Sequence, residues 1–146
     1  MHTLRVTSPA FKSNGVIPEK YTCDGNDVNP SLHIEDLPKE TETLVIIVDD
    51  PDAPMGTWVH WVVWNIPPVE YIQENSVPGI EGINDFQKHS YGGPCPPPGT
   101  HRYFFKGYAL DTKLELSRNA RKKDVEKAMD GHILAKGEII GLYSRR

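Results

Sequence analysis

Gly92-Gly93-Pro94-Cys95-Pro96-Pro97-Pro98-Gly99-Thr100-His101-Arg102-Tyr103 is the stretch on which the reading of this chain turns. Four prolines within five residues fix φ and remove backbone donors, while the flanking glycines permit positive φ and a close approach of backbone to ligand. Such a segment is a stiff, irregular wall. It runs without a linker into His101-Arg102-Tyr103-Phe104-Phe105, the aromatic start of a strand predicted over 101–110. Alternation along that strand groups His101, Tyr103 and Phe105 on one face and Arg102, Phe104 and Lys106 on the other.

Working outward, Thr43 to Asp50 is a near-continuous run of β-branched residues, as expected of a central strand, and it ends in acid where a loop begins. After the loop Asp49-Asp50-Pro51-Asp52-Ala53-Pro54, Trp58 to Ile66 reads as a second central strand, closed by Pro67-Pro68. The period of two sets Trp58, His60, Val62 and Trp64 on one face, opposite Val59, Trp61 and Val63. Three strands thus deliver Asp50, His60, His101 and Tyr103 to places where they can converge. Leu4–Ser8, Ser31–Glu35 and Lys136–Tyr143 read as further strands, and 69–90 as a long surface excursion. Val125, Met129 and Ile133 recur at helical spacing, which predicts one helix over Ser117–Ile133, ending near Gly131. The class is mostly β, a two-sheet sandwich forming a single domain over 1–146 with one helix in the C-terminal half.

The chain of 146 residues is long enough to bury an ordinary core without staples. A net charge of -4 and a pI near 5.8 lack the basic footprint of a nucleic-acid binder. No apolar run approaches the roughly 20 residues needed to span a bilayer, and the N-terminus lacks a signal-peptide apolar region, so the expected address is the cytoplasm. Cys23 and Cys95 are too few for a disulfide scaffold or a thiolate zinc site, which leaves a single bridge between them open.

The residues capable of chemistry admit several readings. Asp50 and Asp52 flank Pro51 at a spacing that suits paired carboxylates, and equally suits a turn in which carboxylates accept local backbone donors. Asp50, His60 and His101 would make a three-ligand zinc site with an open position, although no spacing preorders two of them. Cys95 activated by His101 would be a thiol nucleophile, but prolines on both sides exclude the helix N-terminus that commonly lowers a thiol pKa. No Gly-x-Ser-x-Gly elbow is present. Anion binding fits better: Gly92 and Gly93 offer N–H groups, His60 and His101 imidazoles, Tyr103 a hydroxyl, and Trp58 and the prolines apolar walls. Asp50 is expected to pair with His60 or His101 and turn that ring's other N–H toward the ligand. Arg102, on the opposite strand face, is expected to brace the site by pairing with an acid.

Asp50-Pro51-Asp52-Ala53-Pro54, Trp58-Val59-His60, and Gly93-Pro94-Cys95-Pro96-Pro97 followed by Gly99-Thr100-His101-Arg102-Tyr103 together resemble the phosphatidylethanolamine-binding protein family, specifically its prokaryotic Raf-kinase-inhibitor-like branch. The resemblance implies a sandwich of two antiparallel sheets and a small pocket for phosphate, carboxylate or phospholipid head groups, with no catalytic activity and no cofactor or metal. By the same resemblance the ligand-binding residues are Asp50, Pro54, Trp58, His60, Gly93, Pro94, His101 and Tyr103. It also implies a regulatory partner such as a protease or kinase, docking on the Pro-rich rim, and a homodimer as the assembly to test for. Finally, it places the loops of Cys23 and Cys95 near the same end of the sandwich, close enough to bridge under oxidation.

Overall fold

The computed structural model describes residues 2–145. Among these, ten strands run in chain order as β1 (His2–Thr3), β2 (Arg5–Thr7), β3 (Gly15–Val16), β4 (Leu32–Glu35), β5 (Thr43–Asp50), β6 (Trp58–Ile66), β7 (Tyr71–Ile72), β8 (Ile80–Glu81), β9 (His101–Leu110) and β10 (Ile133–Tyr143), with one α-helix, α1 (Lys122–Met129), before the last strand. The larger sheet has the order β1-β10-β9-β5-β6-β8 with β3 also paired to β10, and the smaller is β2-β4-β7. The long pairings are antiparallel, while the two-residue β1 and β3 run parallel to β10.

β5 is buried at all eight positions because the large sheet is covered on both faces. Leu44, Ile46 and Val48, with Trp61, Val63 and Phe105, face the small sheet, where they meet Ile34. Val45 and Ile47 face the opposite way, with Val62 and Trp64, toward Val125 and Met129 of α1. A strand buried on both sides needs apolar residues in succession, which is why its sequence shows no alternation. Fully burying each such side chain contributes about 2 kcal/mol, so Val125 and Met129 suffice to seat a two-turn helix.

The helix is shorter than the spacing predicts. Ser117 starts a turn instead, its carbonyl accepting from Ala120 N at 2.9 Å and its Oγ from Asn119 N at 3.1 Å. Arg121 is still extended (φ -108°, ψ 176°), and its N–H is held by Asp124 Oδ2 at 2.9 Å, so regular helix begins only at Lys122. At the other end Gly131 takes φ 81°, and β10 begins three residues before the expected Lys136. The strand expected over Leu4–Ser8 shortens to β2 in the small sheet, and a separate two-residue strand before it, β1, joins the large sheet. The excursion over 69–90 contributes two-residue edge strands to each sheet, β7 and β8.

The faces of β6 depart from simple alternation, and the departure shapes the site. Val48 of β5 pairs with Trp61, but the next residue, Asp49, pairs with Val59, so His60 is an extra residue on β6. This bulge reverses the side-chain parity of the strand end. Trp61 and Val63 face the small sheet, Val62, Trp64 and Val59 face α1, and Trp58 and His60 return to the small-sheet side. His60 therefore does not share a face with Val62 and Trp64.

Candidate functional site

Beyond the bulge, the ends of β5, β6 and β9 surround a pocket of about 200 Å³ containing Asp50, Trp58, His60, His101 and Tyr103. Pro54 and Ala53 close it from the acid loop, Pro96 and Pro97 from the Pro-rich wall, and Phe86 and Cys95 complete the lining. His60 packs edge-on against Tyr103 (centroids 5.2 Å) and against Phe86 (5.3 Å), and Phe86 also meets the edge of Trp58 (5.5 Å). Trp58, at 38% exposure, stands at the mouth.

Two polar anchors set the imidazoles. His101 Nδ1 lies 2.6 Å from Asp50 Oδ2, with both side chains nearly buried. Asp50 Oδ1 accepts the Asp52 N–H at 2.7 Å, so this carboxylate serves a local turn and the histidine at once. His60 Nδ1 lies 2.7 Å from the Gly92 carbonyl, which only accepts, so this nitrogen carries the proton. Burial pushes the His60 pKa down, against an upward pull from the carbonyls of Gly92 and Gly93 and from the charges of Asp50 and Asp49. Burial, then the neighbouring Asp50 charge, pushes the Tyr103 phenol well above its ordinary range and keeps it protonated.

Arg102 sits on the other strand face and makes a two-pronged pair with Asp52, Nε to Oδ2 and Nη2 to Oδ1, each at 2.9 Å. Its backbone N–H adds a third contact to Asp52 Oδ2. The Arg102 contacts hold the Asp52 pKa at about 2, and the acid loop is tied to the start of β9 as expected.

The two glycines behave differently from the expectation. Gly93 N–H donates to Asp27 Oδ1 at 2.7 Å and Gly92 N–H to the His60 carbonyl at 3.0 Å, so neither faces the cavity. Close approach is required of both, but toward protein: a Cβ at Gly93 would overlap the Tyr21 carbonyl, and one at Gly92 would sit 2.6 Å from the Phe86 ring. Gly93 and Pro94 are buried behind the wall and do not line the pocket. Of the eight residues expected at the site, Asp50, Pro54, Trp58, His60, His101 and Tyr103 come together around the cavity.

Sequence reasoning missed Phe86 and the turn that places it. Buried Asn84 accepts from Phe86 N (2.9 Å) and Lys88 N (3.0 Å) and donates to the carbonyls of Ser90 (2.7 Å) and His60 (3.1 Å). Next to it, Asp85 Oδ2 accepts the Val59 N–H at 2.6 Å, beside the β6 bulge. The Asx-turn chemistry of Asn84-Asp85 was the available signal. Cys95 is joined to Cys23, with Cα atoms 5.4 Å apart, so it presents no thiol here. Among the described residues, no group of three or more His, Cys, Asp or Glu side chains is placed to hold a metal ion.

The phosphatidylethanolamine-binding protein family model matches residues 7–144. The chain belongs to this family. A UPF0098 protein of Pyrococcus horikoshii is 52% identical over 155 residues, covering 99% of this chain and 78% of the relative. One from Aquifex aeolicus is 49% identical over 152 residues, covering 97% and 89%. Among solved structures, a phosphatidylethanolamine-binding protein homologue of Chlamydia trachomatis superposes with a TM-score of 0.95 at 38% identity over the whole of both chains. YbcL of E. coli, described as a new member of the mammalian PEBP family, gives 0.90 at 31% identity, covering 98% and 99%. No described helix is long and apolar enough to cross a membrane.

Proposed function

We propose that this family member is a non-enzymatic binding protein that holds a small anion, a phosphate, a carboxylate or a phospholipid head group of that kind, in the pocket between β5, β6 and β9. The observation that carries this reading is the buried Asp50–His101 pair beside a second imidazole, His60, in a cavity walled by aromatic rings and prolines. With the glycine N–H groups engaged elsewhere, positive charge for the anion comes from imidazole protonation. His101 is placed to supply it, because Asp50 anchors Nδ1 and leaves Nε2 as the ring's remaining donor. The sulfur nearest the pocket, that of Cys95, is in a disulfide and offers no thiolate nucleophile.

Inorganic phosphate titrated into the purified chain tests this by NMR of the histidine ring nitrogens. Binding should shift both His60 and His101 and be lost in His101→Ala. Unshifted rings at millimolar phosphate would overturn the reading. A second reading, inhibition of a protease or kinase through the rim, draws support from the exposed Met55 (97%), Pro97 and Pro98 around the mouth.

A further inference from the structure

We infer that the pocket distinguishes phosphate esters by their own proton: it takes the singly protonated phosphate of a monoester and discriminates against a diester, with His60 as the residue that reads the difference. This deepens the anion-pocket reading and rests on it.

The pocket is short of cationic donors. None of the lining residues is Lys or Arg, and the nearest guanidinium, that of Arg102, is committed to Asp52 on the opposite strand face. The N–H groups of Gly92 and Gly93 are spent within the protein. The side-chain polar groups of the cavity are therefore the two imidazoles, the Tyr103 phenol and, at the mouth, the Trp58 indole N–H, next to the carboxylate of Asp50.

The imidazoles are anchored alike but serve different ends. Each gives its Nδ1 proton to an oxygen that can only accept, His60 to the Gly92 carbonyl and His101 to Asp50, so Nε2 is the free nitrogen in both. The two acceptors differ in charge. His101 with an anion bound on its far side lies between two negative groups and holds a second proton, so its Nε2–H donates to a phosphoryl oxygen. His60 is anchored on a neutral carbonyl, and burial opposes its protonation, so its Nε2 keeps a lone pair and needs a donor. The ionisable groups around His60 are Asp50 on β5 and His101 and Tyr103 on β9, with the charge of Asp49 reaching it from the opposite face of β5. The Tyr103 ring meets the His60 ring edge to face (82°).

One donor and one acceptor side by side match a ligand that presents one P–O⁻ and one P–OH. A phosphomonoester carrying its last proton has that pair: its bare oxygen takes the His101 proton, and its hydroxyl donates to His60. A diester carries the same single charge but no proton to give, and once seated it covers the His60 nitrogen without partnering it. Leaving such a group unmet costs roughly a ten- to hundredfold factor in affinity. A fully ionised monoester also lacks the proton and adds a charge beside Asp50, so the preference belongs to the singly charged form, which dominates below a second phosphate pKa of about 6.

Methyl phosphate and dimethyl phosphate, similar in size and close in charge near pH 5.5, test the inference by calorimetric or NMR titration of the oxidised full-length chain. Methyl phosphate is expected to bind roughly ten- to hundredfold tighter at pH 5.5, with the advantage shrinking as it ionises fully toward pH 8. His60→Gln should bring the ratio toward unity, whereas His101→Gln should weaken both ligands and preserve the ratio. Equal affinity of the wild type for the two esters would overturn the inference and leave the anion pocket standing. Failure of both esters to bind would remove the anion pocket itself. If His60→Gln does not fold, the pH dependence of the ratio in the wild type decides alone, and a ratio that stays constant overturns the inference.

Discussion

Reduction of the Cys23–Cys95 disulfide perturbs stability and pocket geometry together, by amounts that follow from where the bridge lies. It joins residues 72 apart in sequence, and closing a loop of that length in the unfolded chain stabilises the fold by about 4 kcal/mol in the chain-entropy description. For a domain of this size 1 kcal/mol moves the melting temperature by about 3 °C, so reduction is expected to lower it by about 12 °C. The local effect is more specific. Cys23 N–H donates to the Pro94 carbonyl at 3.1 Å and Gly93 N–H to Asp27, but residues 95–100 make no hydrogen bond among the described residues, three of them being prolines without an N–H. The bridge is therefore a principal tether of the wall formed by Cys95, Pro96 and Pro97. Calorimetry with and without a phosphine reductant, repeated on Cys23→Ser/Cys95→Ser, measures the first effect. Acrylamide quenching measures the second: Trp61 and Trp64 are at most 1% exposed, so quenching reports Trp58 at the pocket mouth and should rise on reduction. A melting temperature that moves by less than about 3 °C would refute the loop-closure argument. Unchanged Trp58 quenching and unchanged phosphate affinity would refute the tether.

Two further outcomes follow from single polar contacts. Because Arg102 lowers the Asp52 pKa from 3.8 to about 2, the pair's contribution to stability is complete above pH 4 and is lost as pH falls through 2; Asp52→Asn should remove that part of the acid dependence in urea melts at pH 2 to 5. Asp27→Ala leaves the buried Gly93 N–H without its acceptor and should cost about 1–3 kcal/mol in urea unfolding at neutral pH, whereas Asp27→Asn, which keeps an accepting oxygen, should cost less.

The elements that position the site were legible because their burial is periodic or unbroken. β9 follows an alternating burial pattern along most of its length, and β5 is buried throughout and apolar from Leu44 to Val48; the predicted bounds of these strands and of β6 match the structure. What period alone could not show is the bulge, since His60 sits among Trp58-Val59-His60-Trp61 in an unremarkable strand sequence, and only the register against Val48 and Asp49 reveals the extra residue. Alternation placed Trp58 with His60 correctly, and the bulge then set Val62 and Trp64 on the other face. The glycine pair was misread for a related reason. Gly-Gly beside a candidate pocket signals close backbone approach without saying to what, and the partners proved to be the Phe86 ring for Gly92 and the Tyr21–Asp27 loop for Gly93. Phe86 lay outside reach because its position depends on the four hydrogen bonds of Asn84 rather than on any period.

The adjacent acids that end β5 show how one strand serves both fold and site. Side chains of neighbouring strand residues point to opposite faces, so Asp49 and Asp50 are divided between two environments. Asp49 turns toward the helix side, where its Oδ2 meets Lys106 Nζ at 3.0 Å and Lys122 Nζ at 2.7 Å, linking the first residue of α1 to β5 and β9. Asp50 turns toward the pocket and meets His101. A slip of one residue in the register of β5 would exchange them, placing the helix-binding acid in the pocket and the pocket acid beneath the lysines. The unbroken apolar run Leu44–Val48 does not by itself forbid that slip, because both of its faces are buried. The discrimination comes from the acids themselves: Asp49 has two ammonium groups on one side only, and Asp50 has an imidazole and a turn N–H on the other. The ion pairs that hold α1 in place therefore also fix the register that delivers Asp50 to His101, and β6 meets that register by inserting His60 as its extra residue opposite the Val48–Asp49 step.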